Sequence, residues 1–377
     1  MACYIDIAKK EDIRQIAECL QRNGLHGKSS IEELVELLHW KYFENPIHLE
    51  ADYADYAKGF VIRDDSDVHG FIGSCPRKCF YGPKPFLMSV IGDLAVDKSY
   101  RKPYAVRLVT QYLSQPGIAI YIGGTNNRIA AKFFERSFSF SKYPGDRFVK
   151  PHLGIFSTYS LVLQMLQRFK LPLPIIRPLA WICFKPYDIL RNKIFLSTAK
   201  DLAGTAVKIV DEIDGYFTKF QESFLERNNE IVIDRCPESL KWIWGEKLSS
   251  GKCVIIAREN EQGMLGYIVL ERKVSESFYA KYEIADWVSL SLDKDVLEQL
   301  LLDACCFCIK QNISCLHSVG FPEKYQATLS KYLPVRLDMG VNRCMFKIAD
   351  KEIAEVVDTD IDKWFLSTFD TDWVLGT

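Results

Sequence analysis

Apolar positions along this chain recur in two periods, and the switches between them mark its elements. Ile13, Ile16, Ala17 and Leu20 fall on one face of a segment from 10 to 21, which predicts an amphipathic helix. A second helix is predicted over 30–43, capped by Ser29 or Ser30 and ended before Asn45-Pro46. Shorter apolar runs predict strands over 59–62, 70–75 and 78–81, and a long one over 86–96. A helix over 104–113, a strand over 118–122 and a helix over 126–136 complete the first half. The second half reads alike: helices over 213–227 and 238–247, strands over 253–257, 265–271 and 282–290, a helix over 296–311, a strand over 314–319, a helix over 323–331 and a strand over 343–348.

This order predicts mixed α/β architecture, with antiparallel meanders feeding a short crossover. It also predicts a repeat. Leu38-His39-Trp40-Lys41 corresponds to Leu240-Lys241-Trp242, Gly70-Phe71-Ile72 to Gly266-Tyr267-Ile268, and Ile91-Gly92-Asp93-Leu94 to Ile284-Ala285-Asp286-Trp287. The expected organisation is one domain over 1–150, an apolar helical connector over 151–204, and a second copy over 205–377. Within the connector, 153–184 is apolar and aromatic. Gln164, Gln167, Arg168, Lys170 and Arg177 interrupt it, and Pro172, Pro174 and Pro178 are expected to break its helices. No uncharged run is long enough to span a bilayer. The segment could cover a domain interface or lie on a membrane surface as a peripheral contact, and the first is preferred.

Composition narrows the chemistry. The 377 residues carry 48 basic and 49 acidic side chains, a net charge of −1, which argues against nucleic acid as a partner. The 12 cysteines match no disulfide or zinc framework, and none of the six histidines pairs with a cysteine at metal-ligand spacing, so no metal is expected. The start of the chain is polar within ten residues, and free thiols suit a reducing, cytoplasmic setting.

The stretch from Val90 to Ala105 carries the chemistry. A strand stops at a basic loop, Lys98-Ser99-Tyr100-Arg101-Lys102, and a helix follows. A helix N-terminus exposes unpaired N–H groups at the positive end of its dipole and attracts phosphate. Asp93 sits in the apolar strand. Burial would raise its pKa toward that of a useful base, or its carboxylate could organise neighbouring backbone, and Asp286 at the matching place favours the second reading.

At these residues the chain resembles the GNAT superfamily of CoA-dependent N-acyltransferases. Asp93-Leu94-Ala95-Val96 resembles the family's strand, Arg101 its first loop residue, and Asn127, Ala130, Phe134 and Glu135 a later helical element. The resemblance covers 3–150 directly and 205–350 more weakly, and implies two tandem domains, each a mostly antiparallel sheet flanked by helices. It implies an acetyl-CoA or other acyl-CoA cofactor held at Leu94, Ala95, Val96, Arg101, Lys102, Tyr104, Ala105 and Asn127. It also implies direct attack by a small-molecule amine, with Asp93 as base. The family's usual tyrosine acid is Phe134 here, so Tyr143 is the candidate to take its place. The segment Trp364–Asp372 is similar to tails of two-copy proteins from bacterial polysaccharide loci, which suggests an amino-sugar acceptor.

The chain departs from the family at three loop positions. Tyr104 and Val106 stand where small residues are usual, and Pro103 lacks an N–H. A degenerate pair serving as a binding or scaffold module is therefore the alternative. A tRNA-dependent peptidoglycan aminoacyltransferase is the second, without the extended basic hairpin such enzymes use. The second copy has the acidic loop Asp293-Lys294-Asp295 and is expected to be non-catalytic. Trp242, Trp244 and Trp287 read as core, and Asp370 and Asp372 as part of a solvated tail. Oligomeric state is left open.

Overall fold

A computed structural model describes residues 3–27, 29–125, 127–143, 151–170, 172–201, 206–273, 280–318, 323–337 and 343–359, together with Phe321, Trp364, Phe365, Ser367 and Phe369. The first half contains β1 (Tyr4–Ile7), α1 (Ile13–Arg22), α2 (Ile31–Phe43), β2 (Gly59–Arg63), β3 (Val68–Tyr81), β4 (Lys84–Val96), α3 (Arg101–Leu113), β5 (Ile118–Thr125), α4 (Arg128–Phe138) and β6 (Ser141–Tyr143). Next come β7 (His152–Ile155), α5 (Thr158–Arg168) and α6 (Leu173–Asp201). The second half contains β8 (Ala206–Val210), α7 (Gly215–Arg227), β9 (Ile231–Ile233), α8 (Pro237–Leu240) and α9 (Glu246–Ser249), the last two joined by a π-turn over Lys241–Gly245. It continues with β10 (Cys253–Asn260), β11 (Gly263–Lys273), β12 (Lys281–Ser289), α10 (Lys294–Lys310), β13 (Cys315–Ser318), α11 (Gln326–Tyr332), β14 (Val335–Arg336), β15 (Arg343–Ile348) and α12 (Lys351–Thr359).

The strands form two mixed sheets flanked by helices. One runs β1-β2-β3-β4-β5-β15-β6, with β9 paired to the far end of β3, and the other runs β8-β10-β11-β12-β13-β7-β14. The two orders match position for position. In each, three antiparallel pairings lead to one parallel pair, β4–β5 or β12–β13. In each, the sixth strand comes from elsewhere in the chain: β15 joins the first sheet beside β5, and β7 joins the second beside β13.

The first helix buries the stripe that its sequence periodicity marks. Ile13, Ile16, Ala17 and Leu20 of α1 are buried, and α2 starts with a capping box in which Ser30 and Glu33 satisfy each other's backbone N–H groups. One apolar cluster runs from α1, α2 and one face of the first sheet through Phe217, Trp244, Ile255 and Tyr267 of the second half. A separate cluster fills the other face of the first sheet, beneath α3 and α4. Trp244 and Trp287 are core residues, as expected.

The corresponding tryptophans meet across the two halves. Trp40 Nε1 donates to the carbonyl of Trp242 at 2.9 Å, Trp242 Nε1 donates to the carbonyl of Trp40 at 3.2 Å, and the rings lie 5.3 Å apart. The Trp40 carbonyl belongs to the last turn of α2, where carbonyls lack helical partners. Reciprocal bonds of this kind are what a local two-fold axis produces.

Three expectations need correction. The prolines break the connector once only: Pro172 lies between α5 and α6, whereas α6 runs for 29 residues with Pro178 and also Pro186 inside it. Both prolines are exposed, so water can satisfy the carbonyls they leave unpaired. Nor is the apolar surface of 153–184 covered throughout: Phe156, Leu163 and Ala180 are buried, but Ile175, Leu179, Trp181 and Ile182 are exposed, as are Ile189, Leu190 and Ile194 beyond it. The tail is likewise not solvated up to Phe369. Trp364, Phe365, Ser367 and Phe369 are buried, and Phe369 lies 4.6 Å from the Arg77 guanidinium and 4.8 Å from that of Arg235. Asp370 and Asp372 lie outside the described residues.

Candidate functional site

The site forms where β4 leaves β5. The two strands pair in parallel from Leu87↔Ile118 to Val90↔Ile122, and β4 then continues to Val96 without that partner. From Ile91 to Val96, β4 therefore has no β5 partner. A bulge lies within it: Phe71 pairs with Ala95 and Gly73 with Gly92, so Asp93 and Leu94 together oppose Ile72. Asp93 adopts φ +49°, a left-handed conformation that aspartate tolerates better than most residues.

The bulge directs the Asp93 carboxylate toward α2 and the loop after α1. Oδ2 accepts from Lys41 Nζ at 2.9 Å and from the Tyr42 hydroxyl at 2.7 Å, and Oδ1 lies 2.8 Å from His26 Nε2. Tyr42 reaches it through a gap between two paired glycines. A Cβ on Gly73 or Gly92 would lie 2.0 or 2.4 Å from the Tyr42 hydroxyl. Asp93 is 7% exposed and Lys41 2%. Burial opposes ionisation of Asp93, but the Lys41 ammonium and His26 outweigh it and hold the carboxyl well below the usual range. The expected upward shift is thus reversed, because the fold supplies a buried cation that sequence spacing does not reveal. With Asp93 ionised and able only to accept, the His26 Nε2 N–H donates to it, and the neutral tautomer that keeps this bond has its lone pair on Nδ1.

The second sheet repeats the carboxylate with other partners. Asp286 accepts from Arg235 at 3.0 and 3.1 Å, from the Tyr267 hydroxyl at 3.0 Å and from the Ser367 hydroxyl at 2.9 Å. No histidine contacts it in any of these bonds, and its side chain is fully buried.

Beyond Val96 lies an open cleft of about 820 Å³ lined by Arg22, Asn23, Asp97, Lys98, Ser99 and Arg101. Arg101 Nε donates to the Val96 carbonyl at 2.8 Å, and its Nη2 donates to Asn23 Oδ1 at 3.1 Å. Asp97 accepts from Arg22 at 2.8 Å and from Asn23 at 2.7 Å. Partial burial opposes its ionisation, and these two donors hold its carboxyl below the ordinary value. Lys98 and Lys102 are exposed at the helix start. Tyr104 does not cover that start: its ring packs with Tyr100 at 6.3 Å, and its hydroxyl donates to the Cys3 carbonyl at 2.9 Å. Pro103 has no N–H, and that of Tyr104 bonds Tyr100 within the helix. Backbone capture of an anion thus falls to Arg101 and Lys102, with basic side chains around them. These residues fit a pyrophosphate held chiefly by side chains.

The remaining candidates divide. Leu94 and Ala105 pack half-buried on the α3–α4 core, while Ala95 and Val96 are buried. Asn127 caps α4, its Oδ1 accepting from the N–H groups of Ile129 and Ala130. Phe134 sits in an aromatic cluster with Phe138 and Phe140. Tyr143 lies on β6, which β5 and β15 separate from β4. At the usual strand spacing that is about 14 Å of sheet, so the structure does not bring Tyr143 beside Asp93. His26, Lys41 and Tyr42 escaped the sequence reading, because their contacts to Asp93 span 51 to 67 residues. The fold also brings Cys3, Asp64 and His69 together, with ligand atoms within 4.8 Å of one another, although no spacing suggested it.

In the second sheet the β12–β13 ladder ends at Ile284↔Ser318, the last residue of β13, and aromatic side chains pack along the rest of β12. Trp287, which corresponds to Leu94, packs against Phe321 and Tyr325 at 5.6 and 5.7 Å and donates to the Leu297 carbonyl at 2.9 Å. The α10 N-terminus is capped by Asp293 and carries Asp295 in its first turn. Two carboxylates there oppose an anionic ligand.

Neither a scan against family models nor a search of curated proteins finds a match. Solved structures do match. A conserved Enterococcus faecalis V583 protein of unknown function, a probable N-acyltransferase, is 13% identical with a TM-score of 0.56, over 92% of this chain and 72% of that one. A GCN5-related N-acetyltransferase from Anabaena variabilis ATCC 29413 is 15% identical, TM-score 0.53, over 93% and 73%. N-myristoyltransferase from Saccharomyces cerevisiae, solved with myristoyl-CoA, is 10% identical, TM-score 0.51, over 91% and 78%. At these identities the likeness is one of architecture, and the chain has the fold of the GCN5-related N-acetyltransferases.

Proposed function

We propose that this chain transfers an acyl group from an acyl-CoA to a small-molecule amine, at the first sheet alone. The observation that carries the reading is the end of the β4–β5 pairing at Val90, after which β4 runs unpaired by β5 toward the basic start of α3. The Leu94–Val96 backbone would polarise the thioester oxygen, and Lys98, Arg101 and Lys102 would hold the pyrophosphate. Holding both reactants at attack distance supplies much of the acceleration. The nitrogen of the amine attacks the acyl carbon, the carbon–sulfur bond breaks, and His26 Nδ1 takes the amine proton. Asp93 acts as a positioning residue that fixes the tautomer of His26. In the second sheet Trp287 packs against Phe321 and Tyr325 at the matching place and Asp293 and Asp295 mark the helix start, and we assign this sheet a supporting role. An amino-sugar acceptor rests on the tail resemblance.

Titration calorimetry with acetyl-CoA, followed by thiol release with a panel of amino-sugars, tests this. Saturable binding is expected, weakened at least tenfold, or about 1.4 kcal/mol, in Lys98→Ala/Lys102→Ala. His26→Gln should bind acetyl-CoA normally but lose turnover. Absence of binding at millimolar ligand defeats the proposal. Binding without turnover on any amine supports the binding-module reading, which Phe134 in place of a tyrosine favours.

A further inference from the structure

We infer that the α5–α6 hairpin docks on an anionic lipid surface. Eighteen large apolar side chains are exposed among the described residues, and ten of them lie on this hairpin between Met165 and Ile194. Scattered singly they would mean little, but a contiguous patch marks an interaction surface. Six form a stripe along α6: Ile175, Leu179 and Ile182, then Ile189, Leu190 and Ile194, at helical spacings of three, four and seven. Ile182 is 64% exposed and Leu190 60%. The opposite side is the inward one, with Ala180, Asp188 and Ala199 buried. Trp181 and Tyr187, also exposed, are residue types that favour the water–lipid boundary.

Charge decides which partner fits. From 158 to 201 the sequence carries seven basic residues (Arg168, Lys170, Arg177, Lys185, Arg191, Lys193 and Lys200) and two acidic ones, Asp188 and Asp201. Asp188 is turned inward. It accepts from the N–H groups of Thr158 and Tyr159 at 2.9 and 3.0 Å and pairs with Arg191 at 3.2 Å. The hairpin is thus strongly cationic in a chain whose net charge is −1. Protein–protein interfaces are depleted of lysine, whereas an apolar stripe bordered by lysine and arginine suits anionic headgroups. No helix among the described residues is long and apolar enough to cross a membrane, so α6 would lie along the surface. Asp188 ties α6 to the start of α5, and the bond from Asn192 to the Phe156 carbonyl at 2.8 Å ties α6 to the residue that follows β7.

Co-sedimentation of the full chain with vesicles of phosphatidylcholine, alone or with phosphatidylserine, tests the inference. Phosphatidylserine should raise the bound fraction several-fold, and added salt should lower it. Ile182→Asp/Leu190→Asp should reduce partition at least tenfold with an unchanged thermal melt, because both side chains are exposed. Lys185→Glu/Lys193→Glu should remove the phosphatidylserine dependence. Equal binding to both vesicle types overturns the anionic assignment. A wild-type chain that stays in the supernatant, and forms a dimer that Ile182→Asp/Leu190→Asp converts to monomer, gives the stripe to a second copy instead.

Discussion

Asp93 and Asp286 occupy matching places in the two sheets, yet only the first holds a histidine. The sequence shows a carboxylate in an apolar strand and hence the need for partners. It does not show which partners, because long-range packing brings Lys41 and His26 there. A buried pair is costly to break, since the remaining charge is left uncompensated. Asp93→Asn is therefore expected to destabilise the chain by about 3–5 kcal/mol in urea unfolding. Adding Lys41→Met should recover part of the loss, and strictly additive effects would contradict the pairing. Because the native pKa of Asp93 is depressed, its contribution is full above the ordinary carboxylate pKa and fades only as pH falls below it. His48 behaves differently. Burial, aided by the Lys58 charge, moves its pKa down to about 4, so the unfolded chain takes up a proton first on acidification. Stability should be full above pH 6.5 and fall by up to about 3 kcal/mol between there and pH 4. His48→Gln should flatten that interval, as measured by unfolding midpoints across pH.

Elements with a strong period were legible, and those whose partners lie far away were not. The stripe Ile13-Ile16-Ala17-Leu20 buries as its spacing predicts, and the strand over 86–96 is β4. The two strands expected over 70–75 and 78–81 are one, β3, because β4 and then β9 pair along its length. Three-residue β6 and two-residue β14 carry too little pattern to read, and β7 exists because β13 and β14 flank it. The basic start of α3 was legible as a strand, loop and helix, and the helix begins at Arg101. What the sequence could not reveal was that Tyr104 turns inward, because its partner, the Cys3 carbonyl, lies 101 residues away. The acidic cap of α10 was equally legible, and Asp293 and Asp295 occupy the place that the loop composition indicated.

At the scale of the whole molecule, neither sheet is complete without a strand from outside its own run of sequence. β5 pairs with β4 on one side and β15 on the other, and β6 pairs with β15. A fragment of residues 1–143 would leave the outer edge of β5 open and β6 without a ladder, and open edges template aggregation. It should be insoluble or lack a cooperative melt when expressed alone, and regain solubility when co-expressed with residues 151–377. A cooperative transition in the isolated fragment would show that β15 is dispensable. The exchange also sets a clock on synthesis. Thr125 ends β5 and Arg343 begins β15, 218 residues later. At about 5–20 residues per second, a ribosome needs roughly 10–40 s to cover that distance. Throughout that interval the first sheet waits for its sixth strand, and its edge is open to chaperones. A transcript cut anywhere short of Arg343 then yields a chain recognisable as unfinished, because the defect lies in the sheet that carries the candidate site.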